Sequence, residues 1–189
     1  MPLQDYTIIF GGSFSPPTFG HYTACQWLIQ TLGAKRITIV PTYEHAFNKQ
    51  LISFEHRLEM CAQMFPPNNS EIIVSGIERG LPHPNRTIDT INYLLPLTNN
   101  KLGIAIGSDL VDEFPTWANY EEILKLAKVV IIGRAGHTKP INFPCYNYPI
   151  SVSEISSTDI RNKIKLGQDI TGLVSKSVKE YIEINGLYK

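Results

Sequence analysis

Five short apolar runs recur along the chain at lengths typical of buried β-strands. They cover residues 7–10, 36–40, 71–75, 102–106 and 129–132. Largely continuous apolar runs of this length favour strands that are covered on both faces of a parallel sheet. We therefore expect a parallel sheet with helices on either side.

Segments with helical periodicity separate these runs. Apolar residues recur at helical spacing in the sets Cys25, Leu28, Ile29 and Leu32; Leu58, Cys61, Ala62 and Phe65; and, more weakly, Ile88, Ile91 and Leu95. Pro96 ends the last set, because proline lacks the N–H that a helix interior requires. Strands that alternate with helices predict a doubly wound, Rossmann-like α/β fold with right-handed crossovers. Ligands in such sheets bind at the carboxyl ends of the strands.

The last third of the chain has a different pattern. Residues 134–149 are polar and contain proline and glycine, residues 150–152 form a short strand candidate, and two helices are expected after them. The final helix has an apolar face formed by Val174, Val178, Tyr181 and Ile182. Ser175 is a suitable N-cap for this helix and Gly186 a suitable stop. We expect the C-terminal helical segment to pack on the sheet.

Composition narrows the class of protein. The 189 residues are 43% hydrophobic, enough for one substantial core, and we expect a single domain over residues 1–189. A formal net charge of zero favours small-molecule partners over nucleic acid or an anionic membrane. The three cysteines are widely spaced, and no signal peptide, long apolar span or metal-ligand cluster is evident, which favours the cytoplasm. A homo-oligomer stays possible.

Residues 11–21, which read GGSFSPPTFGH, directly follow the first apolar run. Gly11 and Gly12 allow a sharp turn and a close approach of ligand to backbone. A helix that opens near Thr18 would present its free N–H groups and positive dipole end to that ligand. The glycine spacing is not that of a dinucleotide fingerprint, and no Gly-Lys-Ser/Thr follows as in a P-loop. The segment predicts a phosphate site of another kind.

His21 is the sharpest catalytic candidate in this segment. An imidazole one turn into such a helix can donate a hydrogen bond to phosphate oxygens that gain charge during transfer. Thr18 lies on the same helical face, one turn earlier. The alternatives are a capped or core histidine and a threonine that only caps the helix.

A second candidate anion site lies at residues 155–161, which read ISSTDIR. Its consecutive hydroxyl residues are Ser156, Ser157 and Thr158. Arg161 follows one turn later, and its planar guanidinium suits bidentate binding of phosphate oxygens. An ordinary N-cap is the alternative, since Ser156 and Asp159 have nearly the spacing of a capping box.

Further candidates follow two other strands of the predicted sheet. After the second strand, Lys49 is flexible enough to reach a triphosphate, and Arg57 could hold a phosphate or a carboxylate. Solvated surface charge is the alternative for both. After the fourth strand, Asp109 could accept from a ribose hydroxyl, bind a metal or form a turn. Trp117 could stack on an aromatic ligand or cover the core.

Residues 12–14 and 18–21, taken with residues 155–161, resemble the paired signatures of the nucleotidyltransferase superfamily with the (His/Thr)-x-Gly-His motif. Within it, the chain looks most like the bacterial nicotinate mononucleotide adenylyltransferases. That narrower likeness rests on residues 86–90, 106–109, 114–117 and 174–188. The resemblance therefore spans nearly the whole chain.

The resemblance implies adenylyl transfer, in which the phosphate of a mononucleotide attacks the α-phosphorus of ATP and expels pyrophosphate with the help of Mg²⁺. It assigns His21 to the α-phosphate, Thr18 to phosphate positioning and Arg161 to the ATP phosphates. It implies further contacts with ATP at Gly12, Ser13, Phe14, Gly20, Lys49, Gly107, Asp109, Ser156, Ser157 and Thr158. It implies contacts with the other substrate at Arg57, Thr87 and Trp117. No general base is needed, because the attacking phosphate is already ionised.

Thr18 leaves alternatives for the acceptor. It stands where the nicotinate enzymes usually have a first histidine, and Thr-x-Gly-His is the form familiar in pantetheine-phosphate adenylyltransferases. Nicotinamide mononucleotide and phosphopantetheine are therefore alternative acceptors. An alternative of another class is a nucleotide-sensing protein without turnover. The presence of His21 and Arg161 disfavours it, because a binder does not need transition-state contacts.

Overall fold

The computed structural model describes residues 1–44, 51–68, 70–134, 141–152 and 156–189, and its described strands form one parallel sheet. The strands are β1 (Tyr6–Gly12), β2 (Arg36–Pro41), β3 (Ile72–Val74), β4 (Lys101–Gly107), β5 (Ala127–Arg134) and β6 (Cys145–Val152). Their order across the sheet is β3-β2-β1-β4-β5-β6. From β1 the chain builds outward first through β2 and later through β4, so the β1/β4 pair is the topological switch point.

Helices cover both faces of this sheet. They are α1 (Phe19–Gln30), α2 (Phe54–Met64), α3 (Thr87–Leu94), α4 (Tyr120–Leu126), α5 (Ser157–Lys165) and α6 (Lys176–Ile184). Ile8 and Phe10 of β1 face one apolar core, with α1, α2, α5 and α6, whereas Ile9 faces the other, with α3 and α4. Successive strand residues thus serve opposite faces. The prediction of a doubly wound α/β fold is confirmed.

Two elements differ from the sequence prediction. β6 begins at Cys145, five residues before the predicted start at 150, and it includes Pro149. Proline is tolerated there because β6 is the last strand in the order, and none of the described strands pairs with its outer side. The sequence pattern also missed α4, which is only seven residues long and follows a left-handed Asn119.

The C-terminal helix has the predicted cap and stop, but it begins at Lys176, so Val174 precedes it instead of belonging to its apolar face. Ser175 caps α6, with its Oγ accepting the Val178 N–H at 3.2 Å, and Gly186 lies beyond the helix end at φ +59°. Val178 and Ile182 are buried in the same core as β1, and α6 packs against α2. None of the helices in the described ranges combines the length and apolarity that crossing a bilayer requires.

Cys25 and Cys61 are core residues, as their positions on apolar helix faces indicate. Both side chains are buried, on α1 and α2 respectively. Burial raises the pKa of each thiol well above its usual value, because the thiolate would lose its hydration. Neither sulfur is therefore suited to act as a nucleophile.

Replacing Ser175 with alanine should lower the free energy of unfolding by about 1 kcal/mol and leave turnover unchanged, because it removes the α6 cap without touching the cavity described below. Chemical denaturation checks the value. Ser177→Ala, at the second residue of the same helix, is the matched control and should cost less than about 0.5 kcal/mol. Equal losses in the two variants would contradict the capping assignment.

Candidate active site

A cavity of about 680 Å³ lies at the carboxyl ends of β1 and β4, at the switch point of the sheet. Its lining includes nearly all of the described residues that the sequence singled out. These are Gly12, Ser13, Phe14, Thr18, Gly20, His21, Thr87, Gly107, Asp109, Trp117, Ser156, Ser157, Thr158 and Arg161. The sheet and its two helical layers thus bring distant parts of the chain to one site.

The first wall of the cavity is the turn between β1 and α1, residues 13–17, called the phosphate turn below. Phe14 holds a left-handed φ of 46° with its ring buried, and a side chain at Gly12 would come within 3.3 Å of that ring. The ring centroid of Phe14 lies 5.0 Å from that of His21. The glycine therefore lets the aromatic side chain fold under the turn and against the imidazole.

Thr18 and His21 orient each other at the start of α1. The backbone N–H of Thr18 donates to Nδ1 of His21 at 3.0 Å, and the Thr18 Oγ1 accepts the His21 N–H at 3.4 Å. Because a backbone N–H can only donate, Nδ1 carries the lone pair and the ring proton belongs on Nε2. His21 is thus both a helix-capping residue and part of the cavity wall, with Nε2 as a hydrogen-bond donor.

The helix α5 forms the neighbouring wall and is bonded directly to the phosphate turn. Arg161 donates from one guanidinium nitrogen to the Ser15 carbonyl at 2.8 Å and from another to Thr158 Oγ1 at 3.0 Å. Ser157 Oγ donates to the Pro16 carbonyl at 2.8 Å. The two signatures recognised in the sequence therefore meet in space through these hydrogen bonds.

The capping interpretation of Ser156 is also correct. Its Oγ accepts the Asp159 N–H at 3.2 Å, and its own N–H donates to the Asp159 carboxylate at 2.8 Å. Ser156 lines the cavity as well. The residue therefore starts α5 at a point where the free N–H groups of the helix end lie beside the cavity.

The opposite wall comes from the other face of the sheet. Thr87 is the first residue of α3, and half-buried Trp117 packs edge-on against the fully buried Phe114, with ring centroids 5.1 Å apart. Asp109 follows β4, and a side chain at Gly107 would collide with its carboxylate. Trp117 therefore covers part of the core and also presents surface to the cavity.

Lys49 and Arg57 stand apart from this group. Lys49 lies outside the described residues. Arg57 is only 2% exposed and is not part of the cavity lining in the ranges that the structure describes. The family resemblance placed it at the substrate, on the segment that follows the second strand. Here the guanidinium is turned inward and donates to backbone carbonyls, including that of Ser13 at 3.0 Å.

Several polar residues of the cavity have no motif that predicts them, and Glu78 is the most unusual of these. It is 9% exposed, and its carboxylate accepts the Tyr43 N–H at 2.8 Å and the Thr90 hydroxyl at 3.4 Å. Burial raises the pKa of Glu78, partly offset by these hydrogen bonds. Glu78 belongs to a polar stretch without a motif, so no local signal distinguishes it from a surface residue.

Tyr188 supports the phosphate turn from behind and was not predicted to do so. Its hydroxyl lies 3.1 Å from Ser15 Oγ, and burial raises the pKa of Tyr188 to about 12. The phenol is therefore neutral at physiological pH and serves as a hydrogen-bonding partner of the phosphate turn. Among the residues with described positions, no group of three or more His, Cys, Asp or Glu side chains could hold a metal ion.

A cavity at the switch point of a parallel sheet, with a turn that directly follows Gly11 and Gly12 and two helix N-termini on its wall, is typical of nucleotide-binding α/β proteins. The cytidylyltransferase-like family model matches residues 9–163 of this chain. The chain belongs to this family of nucleotidyltransferases, which confirms the superfamily predicted from the sequence.

Individual relatives cover almost the whole chain. A probable nicotinate-nucleotide adenylyltransferase of Anaeromyxobacter sp. (strain K) is 33% identical over 185 residues, 96% of this chain and 95% of that protein. The nicotinate-nucleotide adenylyltransferase of Bacillus subtilis (strain 168) is 29% identical over 184 residues, 96% and 97% of the two chains.

A solved structure of the Plasmodium falciparum nicotinic acid mononucleotide adenylyltransferase, complexed with NaAD, has a TM-score of 0.79 to this protein. The two sequences are 22% identical, and the match covers 97% of each chain. At this identity the likeness establishes a shared fold.

Proposed function

We propose that this protein transfers the adenylyl group of ATP to nicotinate mononucleotide, which yields nicotinate adenine dinucleotide and pyrophosphate. The observation that carries the proposal is that hydrogen bonds join the phosphate turn to α5 beside His21. The far wall of the same cavity carries Thr87 and Trp117. Relatives that match nearly the full length of the chain are named for this activity. The site thus has a phosphate end and an aromatic end, as a reaction between two nucleotides requires.

The reaction needs alignment and charge stabilisation more than acid–base chemistry. A phosphate oxygen of the mononucleotide bonds to the α-phosphorus of ATP, and the bond from that phosphorus to the bridging oxygen of pyrophosphate breaks. The nucleophile is already ionised, so no proton has to be removed from it. Mg²⁺ enters as part of the MgATP substrate, since this ion takes most of its ligands from phosphates and water.

Arg161 supplies positive charge at the phosphate end, and His21 supplies a hydrogen bond there. Nε2 of His21 is the ring donor, because Nδ1 accepts the Thr18 N–H, and we assign it to an oxygen on the α-phosphorus that gains charge. Arg161 is held by the Ser15 carbonyl and Thr158, and the rest of its guanidinium is suited to phosphate oxygens. Asp109 is assigned to the ribose of ATP.

The contacts of Thr18 remove an argument against nicotinate mononucleotide as the acceptor, although threonine replaces the usual histidine. Thr18 is 3% exposed, and its hydroxyl lies 3.0 Å from Nδ1 of His21. This side chain therefore acts on the catalytic histidine instead of the acceptor, so threonine here does not argue for phosphopantetheine. Trp117 offers a flat surface to a pyridine ring, which a flexible pantetheine arm does not need.

A pyrophosphate-release assay tests the proposal. The purified protein is given ATP and Mg²⁺ with nicotinate mononucleotide, nicotinamide mononucleotide or phosphopantetheine in parallel. We expect the highest kcat/KM with nicotinate mononucleotide. A higher kcat/KM with phosphopantetheine would overturn the acceptor assignment, and no release with any acceptor would favour the nucleotide-sensing alternative.

Replacing Trp117 with alanine should raise the KM for the acceptor by about 10-fold, which corresponds to the loss of one aromatic stacking contact, and leave the KM for ATP nearly unchanged. Steady-state kinetics with each substrate varied in turn measures both constants. Trp117→Phe, which keeps a ring packed on Phe114, is the control and should recover most of the acceptor affinity. An equal loss for ATP would contradict the assignment of this wall to the acceptor.

A further inference from the structure

Arg57 connects the phosphate turn to the segment between β2 and α2. Its guanidinium donates to the carbonyls of Ser13 at 3.0 Å, Ile52 at 3.2 Å and Tyr43 at 3.4 Å, so that each of its three nitrogens has a backbone partner. Ser13 belongs to the first wall of the cavity, whereas Tyr43 and Ile52 belong to the connection that follows β2. A single buried side chain therefore sets the spacing between these two parts of the backbone.

Glu78 continues this connection to the opposite wall. Tyr43 accepts from Arg57 through its carbonyl, and its N–H donates to the Glu78 carboxylate at 2.8 Å. The other carboxylate oxygen of Glu78 accepts from Thr90 of α3 at 3.4 Å. The Glu78 carbonyl accepts from the Asn85 side-chain amide at 3.0 Å, just before α3. A continuous hydrogen-bonded path thus runs from the phosphate turn to α3.

The two charges on this path depend on each other. Arg57 is 2% exposed and Glu78 is 9% exposed, and one residue, Tyr43, separates them. Burial lowers the pKa of Arg57 and raises that of Glu78, while the field of each favours the charged form of the other. Removing one charge would leave the other buried with much less compensation. We therefore expect the loss of either charge to disturb the whole hydrogen-bonded path.

We propose that Arg57 and Glu78, joined through the backbone of Tyr43, form a positioning unit that holds the phosphate wall and the α3 wall of the cavity at a fixed separation. The inference rests on the proposed function, in which ATP occupies one wall and the acceptor the other. Neither Arg57 nor Glu78 is given a contact with the reacting atoms. The unit acts on the distance and angle between the attacking oxygen and the α-phosphorus.

Such a unit affects the rate constant more than binding. Each substrate keeps its own contacts when the walls shift slightly, so the two KM values change little. Alignment of the reacting atoms is more sensitive, since a misplacement of about 1 Å can cost about 100-fold in rate. A lower kcat with nearly unchanged KM values therefore indicates a positioning role. A residue that only supports the structure would lower thermal stability alone.

The test compares Arg57→Lys, Glu78→Gln and the double variant by steady-state kinetics, well below the thermal unfolding temperature of each. We expect each single variant to lower kcat by about 10-fold with KM values within about 3-fold of the wild type, and the double variant to be little worse than the poorer single one. Arg79→Gln is the matched control. Arg79 lies over the same Phe54 ring as Arg57 but pairs with exposed Glu55, so its kcat should be unchanged.

Several results would overturn the proposal: a wild-type kcat in folded Arg57→Lys, losses that multiply in the double variant, or an equal loss in Arg79→Gln. Thr90→Val, which removes one hydroxyl donor to Glu78, is the milder variant and should still lower kcat by about 3-fold if the charge variants do not fold. An unchanged kcat in folded Thr90→Val would also contradict the unit. Absence of turnover in the wild-type protein contradicts the proposed function itself, and the positioning unit then falls with it.

Discussion

Replacing His21 with alanine is expected to lower turnover by about 100-fold or more while ATP affinity stays nearly unchanged. In the proposed mechanism, Nε2 of His21 donates to oxygens whose charge grows only in the transition state. Its orientation is set by the Thr18 N–H at 3.0 Å from Nδ1 and by the neighbouring Phe14 ring. Single-turnover kinetics gives the chemical step, and calorimetry with a non-hydrolysable ATP analogue gives the affinity.

His56 provides the matched control for this experiment. It also lies in the first turn of a helix, and its Nδ1 is 2.9 Å from the Tyr181 hydroxyl, but it does not line the cavity as the described residues define it. His56→Ala should therefore turn over at the wild-type rate. An unchanged rate in His21→Ala, or an equal loss in both variants, would contradict the role given to His21.

Replacing Arg161 with glutamine should lower kcat/KM for ATP by about 100-fold, because it removes a charged donor to phosphate. It also removes the hydrogen bond that fixes the Ser15 carbonyl at 2.8 Å. Arg161→Lys separates the two contributions, since lysine keeps the charge but lacks the planar fork that bonds Ser15 and Thr158 together. Steady-state kinetics with ATP varied measures both variants.

Lysine at this position should therefore give an intermediate value of kcat/KM. Wild-type activity in Arg161→Lys would show that charge alone matters there and that the fork to Ser15 does not. Wild-type activity in Arg161→Gln would contradict any role of this guanidinium at the phosphates. Arg161 is partly exposed, so we expect both variants to keep the fold.

Local chemical signals allowed much of the fold and part of the site to be predicted from the sequence. Thr18, Ser156 and Ser175 each cap a helix where their position before an apolar pattern indicates a start. Such signals operate over one helical turn, so they can be read from neighbouring residues. The sheet follows from apolar runs in the same way, except for β6, where the polar residues of an edge strand conceal the pattern.

Contacts between distant residues could not be predicted in this way. Arg161 and Ser15 are 146 residues apart in the chain, and Glu78 and Tyr43 are 35 apart. Arg57 shows the difficulty most clearly, because the sequence identifies its charge but not whether that charge faces ligand or backbone. Every residue has a backbone carbonyl, so the sequence does not indicate which carbonyls accept from Arg57. Only the folded chain shows that the three guanidinium nitrogens of Arg57 donate to three backbone carbonyls.

The most direct test of the proposed function follows the α-phosphorus of ATP. The protein is incubated with nicotinate mononucleotide, Mg²⁺ and ATP labelled at that atom, and the products are separated and identified by mass. We expect the label to appear in nicotinate adenine dinucleotide, in an amount equal to the pyrophosphate released. Label that stays in ATP, or passes only to AMP with the mononucleotide unchanged, would contradict adenylyl transfer to this acceptor.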